Sequence, residues 1–270
     1  MLLKEERQRL IGEVVRQNGM ATVAELSEKF EVSEITIRRD LAELSDRGVV
    51  ERAHGGAIAL TSQVQGDEPP VVQRMAMLRH CKEAIAGAAA ELIGNGESIF
   101  IGSGTTTAYL ARRLTGRQGL TVVTNALTVA RELAIADNVT TVVTGGMMRH
   151  SELSLIGHIA EISLREVRVD KVFLGIPAVS VEHGLTNDYL PEVMTDRAII
   201  QMTQQLIILA DHSKFGKTGS AYVAPIEQVS VLVTDSETDL SQISRFQQHG
   251  IRVIRAGRQA YSETSQTEEL

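Results

Sequence analysis

The residues best suited to chemistry in this 270-residue chain stand just past short apolar runs. "SIFIGSGTTTAYLARRL" (98–114) passes from such a run through Ser103, Gly104, Thr105 and Thr106 into an amphipathic helical pattern. Amides and hydroxyls at the start of a helix suit a phosphate group. Thr124-Asn125 closes "LTVVTN", Gly145-Gly146 follows "TTVVT", and Asp211 and Lys214 lie in "DHSKFGK" after "LIILA". Amide and carboxylate groups would take sugar hydroxyls, and a lysine would add charge for phosphate. Singly, each is an ordinary turn or cap. Placed at successive strand ends, they read as a polyol phosphate site.

A second set lies in the first sixty residues. In "SEITIRRDLAELSDRG", Ser33 is the expected N-cap and Gly48 the stop, while Ile37, Leu41 and Leu44 share one helix face. Thr36, Arg38 and Arg39 therefore fall off the core side, and Asp40 opens a more acidic second half. "VVERAHGGAI" then alternates like a hairpin or wing, carrying Arg52 and His54. With Thr22, Ser33 and Glu34 at the helix starts, these residues form the candidate DNA-contacting set. A helix with hydroxyl and arginine side chains in its first half can enter a major groove. The alternative is a helical dimerisation module whose arginines are merely solvated.

The elements positioning these residues follow from periodicity. Leu10, Ile11, Val14 and Val15 make a stripe that Gly19 ends. "TVAELSEKF" opens with Thr22 and Glu25 at capping-box spacing and buries Val23, Leu26 and Phe30. "TSQVQGDEPP" (61–70) reads as a linker. Beyond it, "MAMLRHCKEAIAGAAAELI" (75–93) predicts one long helix before "SIFI". "LTVVT", "TTVVT", "KVFLG", "LIILA", "VSVLVT" and "IRVI" predict further strands, most separated by helical segments. Such runs indicate a parallel sheet covered on both faces, an α/β doubly wound fold. Its ligand site lies beyond the carboxyl ends of the strands.

Composition narrows the classes. Net charge is −7, and the first sixty residues hold nine Lys/Arg against eleven Asp/Glu, so a DNA-binding surface must concentrate its positive charge on one face. Cys81 is the single cysteine, which excludes an internal disulfide and fits a reducing cytosol. The charged start is unlike a signal peptide, and no apolar run approaches the ~18 residues of a membrane span. A cytoplasmic protein is expected. The seven histidines (54, 80, 150, 158, 183, 212, 249) show no metal-ligand spacing, so neither metal nor cofactor is expected. The last residues, "SETSQTEEL", read as a polar tail.

"TIRRDL" (36–41) and "HGGA" (54–57), within "SEITIRRDLAELSDRGVVERAHGGA", resemble the winged helix-turn-helix of DeoR-family transcriptional regulators. "SGTTT", "LTVVTNAL", "TGGMMR", "DKVFLG", "GLT" and "ADHSKFGK" are similar, in order, to the effector-binding half of that family. The resemblance implies a winged helix-turn-helix over 3–58 (helix-turn-helix about 20–39), a linker over 59–74, a ribose-phosphate-isomerase-like effector domain over 75–255 and a flexible tail over 256–270. It implies that the helix from Ser33 reads the major groove. Ser103 to Thr106, Thr124, Asn125, Gly145, Gly146 and Lys214 would line the effector pocket, joined by Arg197 and Asp211. Two departures stand out: Gly102, where the family often has Asp, and Asp196, where it often has Lys.

The expected function is a DNA-binding regulator of a carbohydrate-catabolism operon, a repressor modulated by a phosphorylated sugar or related metabolite. It would bind double-stranded operator DNA as a homo-oligomer, dimer or tetramer, away from any membrane. An activator of the same architecture is one alternative. A sugar-phosphate isomerase is another, since that chemistry needs a positioned base beside a carbonyl. Among Glu182, Glu192, Asp196 and Asp211 no acid/base constellation is recognisable in the sequence.

Overall fold

The computed structural model describes residues 4–18, 20–46, 49–53, 55–59 and 69–257. The chain divides into two compact units, Met1–Asp67 and Glu68–Leu270.

The first unit runs α1 (Lys4–Asn18), β1 (Met20–Thr22), α2 (Val23–Phe30), α3 (Glu34–Asp46), β2 (Val50–Ala53) and β3 (Gly56–Ala59). Its strands form an antiparallel sheet in the order β1-β3-β2. The three helices and the hairpin follow the sequence pattern. β1 does not: three residues are too few to show alternation, and pairing with β3 makes them a strand. Ile11, Val15, Val23, Leu26, Ile37, Leu41 and Leu44 form the core, while Leu10, Val14 and Phe30 are only partly buried. Asp40, which opens the more acidic second half of α3, has a structural role that the sequence reading did not assign. It is buried, accepting from Arg7 Nε at 2.6 Å and Gln8 Nε2 at 3.1 Å, so it ties α3 to α1. The pairing raises the pKa of the Arg7 guanidinium further. Gly19, Gly48 and His54, each given a role above, lie outside the described residues.

The second unit is built on a seven-stranded sheet, entirely parallel: β4 (Ser98–Ile101), β5 (Leu120–Thr124), β6 (Val139–Val143), β9 (Lys171–Gly175), β12 (Leu206–Leu209), β14 (Val229–Asp235) and β15 (Arg252–Ala256). Alternate residues feed two cores. Ile99, Ile101, Val122 and Phe173 pack under α5 (Arg79–Ala90), α6 (Thr105–Arg112) and α7 (Leu127–Leu133). Phe100, Val123, Val172 and Leu174 face α8 (His158–Arg165), α9 (Leu190–Ile200) and α10 (Leu240–Gln248). Apolar side chains on both faces of each strand explain why these runs read as continuous rather than alternating.

Smaller elements were not anticipated. β7 (Met147–Arg149) and β8 (Ser154–Ile156) form a hairpin, and β10 (Ala178–Ser180), β11 (Gly184–Asn187) and β13 (Ala221–Ala224) a second antiparallel sheet. The linker assigned to 59–74 is too long at its end: Val71–Arg74 is a helix, α4. Val71 is buried and its N–H donates to Ser151 O at 2.7 Å, so these residues belong to the second unit. The long helix expected over 75–93 reduces to α5, because the chain reverses at Leu78 (φ 48°). Ala256 closes β15 rather than opening a tail, and residues 258–270 lie outside the described part.

Strand order is β15-β14-β12-β9-β4-β5-β6. From β4 the chain winds outward through β5 to β6, then returns to β9 on the other side of β4 and winds the opposite way. The reversal between β4 and β9 opens a crevice at their carboxyl ends, where ligands of doubly wound sheets bind.

Candidate functional site

A cavity of about 360 Å³ occupies that crevice. Ser103, Gly104, Thr105 and Thr106 after β4, Gly175 to Pro177 at the end of β9, and Asp211, Ser213 and Lys214 after β12 line it. Gly104 caps α6, with Thr105 and Thr106 in its first turn and Thr107 donating to Gly104 O at 2.9 Å. Asp211 is buried and accepts from Ser213 N at 3.0 Å, which fixes the 3₁₀ turn His212–Lys214. Predicted ligand residues from β4 and β12 thus converge.

Five others do not line this cavity. Thr124 is fully buried, its hydroxyl donating to Ile101 O at 2.6 Å and accepting from Ala126 N at 3.0 Å, so it shapes a turn. Asn125 donates to Leu155 O at 3.2 Å, and its Oδ1 is buried without a partner among the described residues. Gly145 and Gly146 follow β6 and lie close against Ile156 of β8 and against Ile159 and Ala160 of α8. At Gly146 (φ 137°) a Cβ would stand 2.8 Å from Ile156 O. Arg197 donates to Tyr222 O at 2.7 Å and Val223 O at 3.3 Å, joining α9 to β13. The physical reason is topological for four of them: β5 and β6 lie on one wing of the sheet, beyond the reversal point.

Other lining residues come from segments the sequence reading passed over or did not place there. Lys82 on α5, Arg74 on α4, Arg149 and Glu152 at the β7-β8 hairpin, Asn187 on β11, and Glu192 and Asp196 on α9 all face the cavity. Arg149 pairs with Glu192 and Arg74 with Glu152, all four nearly buried. Arg149 also stacks over the Tyr189 ring at 4.1 Å. Asn187 Nδ2 donates to Asp196 Oδ2 at 3.0 Å and lies 3.4 Å from Glu192 Oε2. Burial and the Glu192 charge push the Asp196 carboxyl well above the ordinary Asp range. Of the four carboxylates weighed as bases, Glu192, Asp196 and Asp211 therefore share one cavity, whereas Glu182 pairs with Arg245 elsewhere. The spacing Glu192/Asp196, one helical turn, was the available signal. A Cβ at Gly102 would meet Leu174 Cδ1 at 2.5 Å, the far end of a flexible side chain that can turn aside, so packing alone does not demand glycine there.

In the first unit, Thr22 forms a reciprocal capping box with Glu25 (Glu25 N to Thr22 Oγ1 3.2 Å; Thr22 N to Glu25 Oε2 2.8 Å). Ser33 Oγ accepts from Thr36 N at 3.3 Å at the start of α3. Glu34, Arg38 and Arg39 are exposed, with Arg38 Nη2 3.0 Å from Glu34 Oε2. Ile35, which the sequence reading missed, is 80 % exposed beside them. A bare isoleucine between Glu34 and Thr36 at a helix start was the signal. Arg52 lies on β2, opposite Ala57 of β3.

A helix-turn-helix with a short antiparallel sheet, followed in the same chain by a doubly wound unit with a polar cavity at its reversal point, defines a ligand-responsive DNA-binding regulator. Residues 7–63 match the DeoR-like helix-turn-helix domain and residues 79–236 the DeoR C-terminal sensor domain. The chain belongs to the DeoR family of transcriptional regulators. It is 36% identical to the transcriptional repressor AccR of Agrobacterium fabrum, over 87% of this chain and 90% of that one. It is 34% identical to the glycerol-3-phosphate regulon repressor of Escherichia coli K12, over 92% and 97%, and 32% identical to a putative aga operon transcriptional repressor of Escherichia coli O157:H7, over 93% and 94%. Among solved structures, ribose 5-phosphate isomerase A of Methanocaldococcus jannaschii aligns with half of the chain and 53% of its own at 18% identity and a TM-score of 0.37. Family membership makes this chain a regulator and not an isomerase. No helix among the described residues is long and apolar enough to cross a membrane.

Proposed function

We propose that the chain is a repressor of a carbohydrate-catabolism operon, released from its operator by a phosphorylated sugar or related metabolite bound in the cavity. One observation carries this reading. The first turn of α6, with Ser103 to Thr106, shares its cavity with Lys82 and Lys214. Helix-start amides, hydroxyls and two ammonium groups are a phosphate receptor. Asn187, Glu192, Asp196 and Asp211 offer the acceptors and donors a polyol needs. A relative named as the glycerol-3-phosphate regulon repressor supports a phosphorylated carbon source as the signal.

In this reading α3 enters the major groove, led by Ser33, Glu34, Thr36, Arg38 and Arg39. Thr22, Arg52 and His54 meet the phosphate backbone from the helix starts and the wing. The protein acts in the cytoplasm as a dimer or tetramer, so that paired α3 helices match operator half-sites. The ligand releases DNA by binding the non-matching arrangement more tightly.

The test uses the full chain, a duplex from its own promoter and a panel of sugar phosphates with their unphosphorylated parents. At least one phosphorylated compound is expected to raise the melting temperature and to release the duplex, while its parent does neither. A panel in which no phosphorylated compound stabilises the protein, or in which the stabilising one leaves DNA affinity unchanged, overturns the reading.

A further inference from the structure

The seven histidines and one cysteine carry no ligand spacing along the chain, yet the fold gathers several of them. Cys81 and His80 stand in the first turn of α5, His212 opens the turn after β12, Asp235 ends β14 and Glu237 lies two residues beyond it. His80 Nε2 lies 2.9 Å from Glu237 Oε1 and 3.3 Å from Cys81 Sγ. Cys81 Sγ is 3.8 Å from Glu237 Oε1. His212 Nδ1 is 3.1 Å from Asp235 Oδ1, and His212 Nε2 is 3.9 Å from Glu237 Oε2. Cys81, His212 and Asp235 bring one donor atom each within 4.8 Å of one another, as do His80, Cys81 and Glu237. None of the five lines the sugar-phosphate cavity, although His212 stands between Asp211 and Ser213, which do.

We propose that Cys81, His212 and Asp235, completed by His80 or Glu237, form a binding site for a zinc-class divalent cation. Four ligands at bond lengths of about 2.0–2.3 Å make a tetrahedron with edges of about 3.3–3.8 Å. The donor separations here bracket that range, so small side-chain rotations suffice. The donor set is mixed sulfur, nitrogen and carboxylate oxygen, which suits zinc and disfavours magnesium or calcium. The supporting contacts are in place as well: Asp235 accepts from the backbone N–H of His212 at 2.9 Å and of Glu237 at 2.8 Å, which orients its carboxylate before any cation arrives. Two carboxylates and two imidazoles around a thiol concentrate donors in a place with no cationic side chain among the ligand groups. On binding, the metal–sulfur bond replaces the S–H bond and the thiol proton leaves to solvent.

The experiment uses the full chain, purified without a polyhistidine tag, dialysed against chelator and titrated with Co²⁺ and then Zn²⁺. One equivalent of Co²⁺ is expected to give a near-ultraviolet thiolate-to-metal absorption, with visible bands of four-coordinate intensity, and Zn²⁺ is expected to abolish both. Cys81→Ser should lose the near-ultraviolet band, and Asp235→Asn or the double substitution His80→Ala with Glu237→Gln, both at exposed positions, should weaken Zn²⁺ binding by roughly tenfold or more. Circular dichroism establishes that each variant is folded, and the double substitution at the two exposed positions keeps the test decisive if the buried substitutions are not. Absence of a saturable thiolate band in the parent chain overturns the proposal. So does a band of equal strength in folded Cys81→Ser.

Discussion

Glu192 and Asp196 stand one turn apart on α9, both buried, with the single amide nitrogen of Asn187 within 3.4 Å of one carboxylate and 3.0 Å of the other. Arg149 is committed to Glu192, so Asp196 is left with one neutral donor and a like charge nearby. Burial and the neighbouring Glu192 charge thus disfavour the ionised form of Asp196 inside the ligand cavity.

That penalty on ionisation predicts an unusual pH response. Burial first, then Glu192, raises the Asp196 carboxyl above its unfolded value of about 3.9. Between those two values the native state holds a proton the unfolded chain has released, so stability falls as pH rises through that window. Asp196→Asn removes the ionisation and still accepts from Asn187. It is expected to stabilise the chain at neutral pH by on the order of 1 kcal/mol, roughly 2–4 °C in melting temperature. The gain should shrink as pH falls toward 4. Melting curves of both proteins from pH 4 to 8 check this, and a gain that is flat or grows toward acid contradicts it.

The phosphate end of the cavity makes a separate prediction. Lys214→Ala and Lys82→Ala should each weaken the stabilising sugar phosphate by about tenfold or more, since a charge-assisted contact is worth roughly 1.5–3 kcal/mol. The parent sugar's weaker binding should change far less. Calorimetric titration of both variants measures the ratio, and equal losses for the two ligands would place the phosphate elsewhere. Lys82 Nζ also donates to Arg74 O at 2.6 Å, so Lys214→Ala is the cleaner variant.

Much of this site was legible because strands and their following turns are local. Apolar runs at Ser98–Ile101, Lys171–Gly175 and Leu206–Leu209 announced the sheet, and the polar residues after β4 and β12 announced the cavity floor. Strand order is not local. Nothing in the sequence said that the winding reverses between β4 and β9, so Thr124, Asn125, Gly145 and Gly146 were placed at a cavity they do not line. The charged wall was hidden for the same reason: Arg149 and Glu192 are 43 residues apart, and Arg74 and Glu152 are 78 apart. The proposed cation site spans a still longer stretch, from His80 to Glu237.

In the first unit, Asp40 carries an energetic load that its position in the sequence conceals. Asp40→Ala leaves Arg7, itself nearly buried, without its partner. Removing one member of a buried pair costs about 3–5 kcal/mol. The expected result is a separate, lower-temperature unfolding transition and loss of operator binding, with sugar-phosphate binding by the second unit retained. Calorimetry alongside a ligand titration distinguishes this from global unfolding, which would remove both activities.

Ile35 and Arg39 are neighbours in exposure but differ in what they can read. Arg39 is an exposed cation, and a phosphate contact from it carries no sequence information. Arg39→Ala should weaken specific and non-specific duplexes alike and reduce the salt-dependence slope of binding by about 1. Ile35 has no charge to release and reaches out from the first turn of α3, where an apolar side chain can touch a thymine methyl. Ile35→Ala should leave the salt slope and non-specific affinity unchanged, while reducing preference for the operator by roughly 1–3 kcal/mol. Binding to operator and scrambled duplexes across a salt series separates the two effects. If Ile35→Ala lowers both affinities equally, Ile35 supports the helix rather than reading bases.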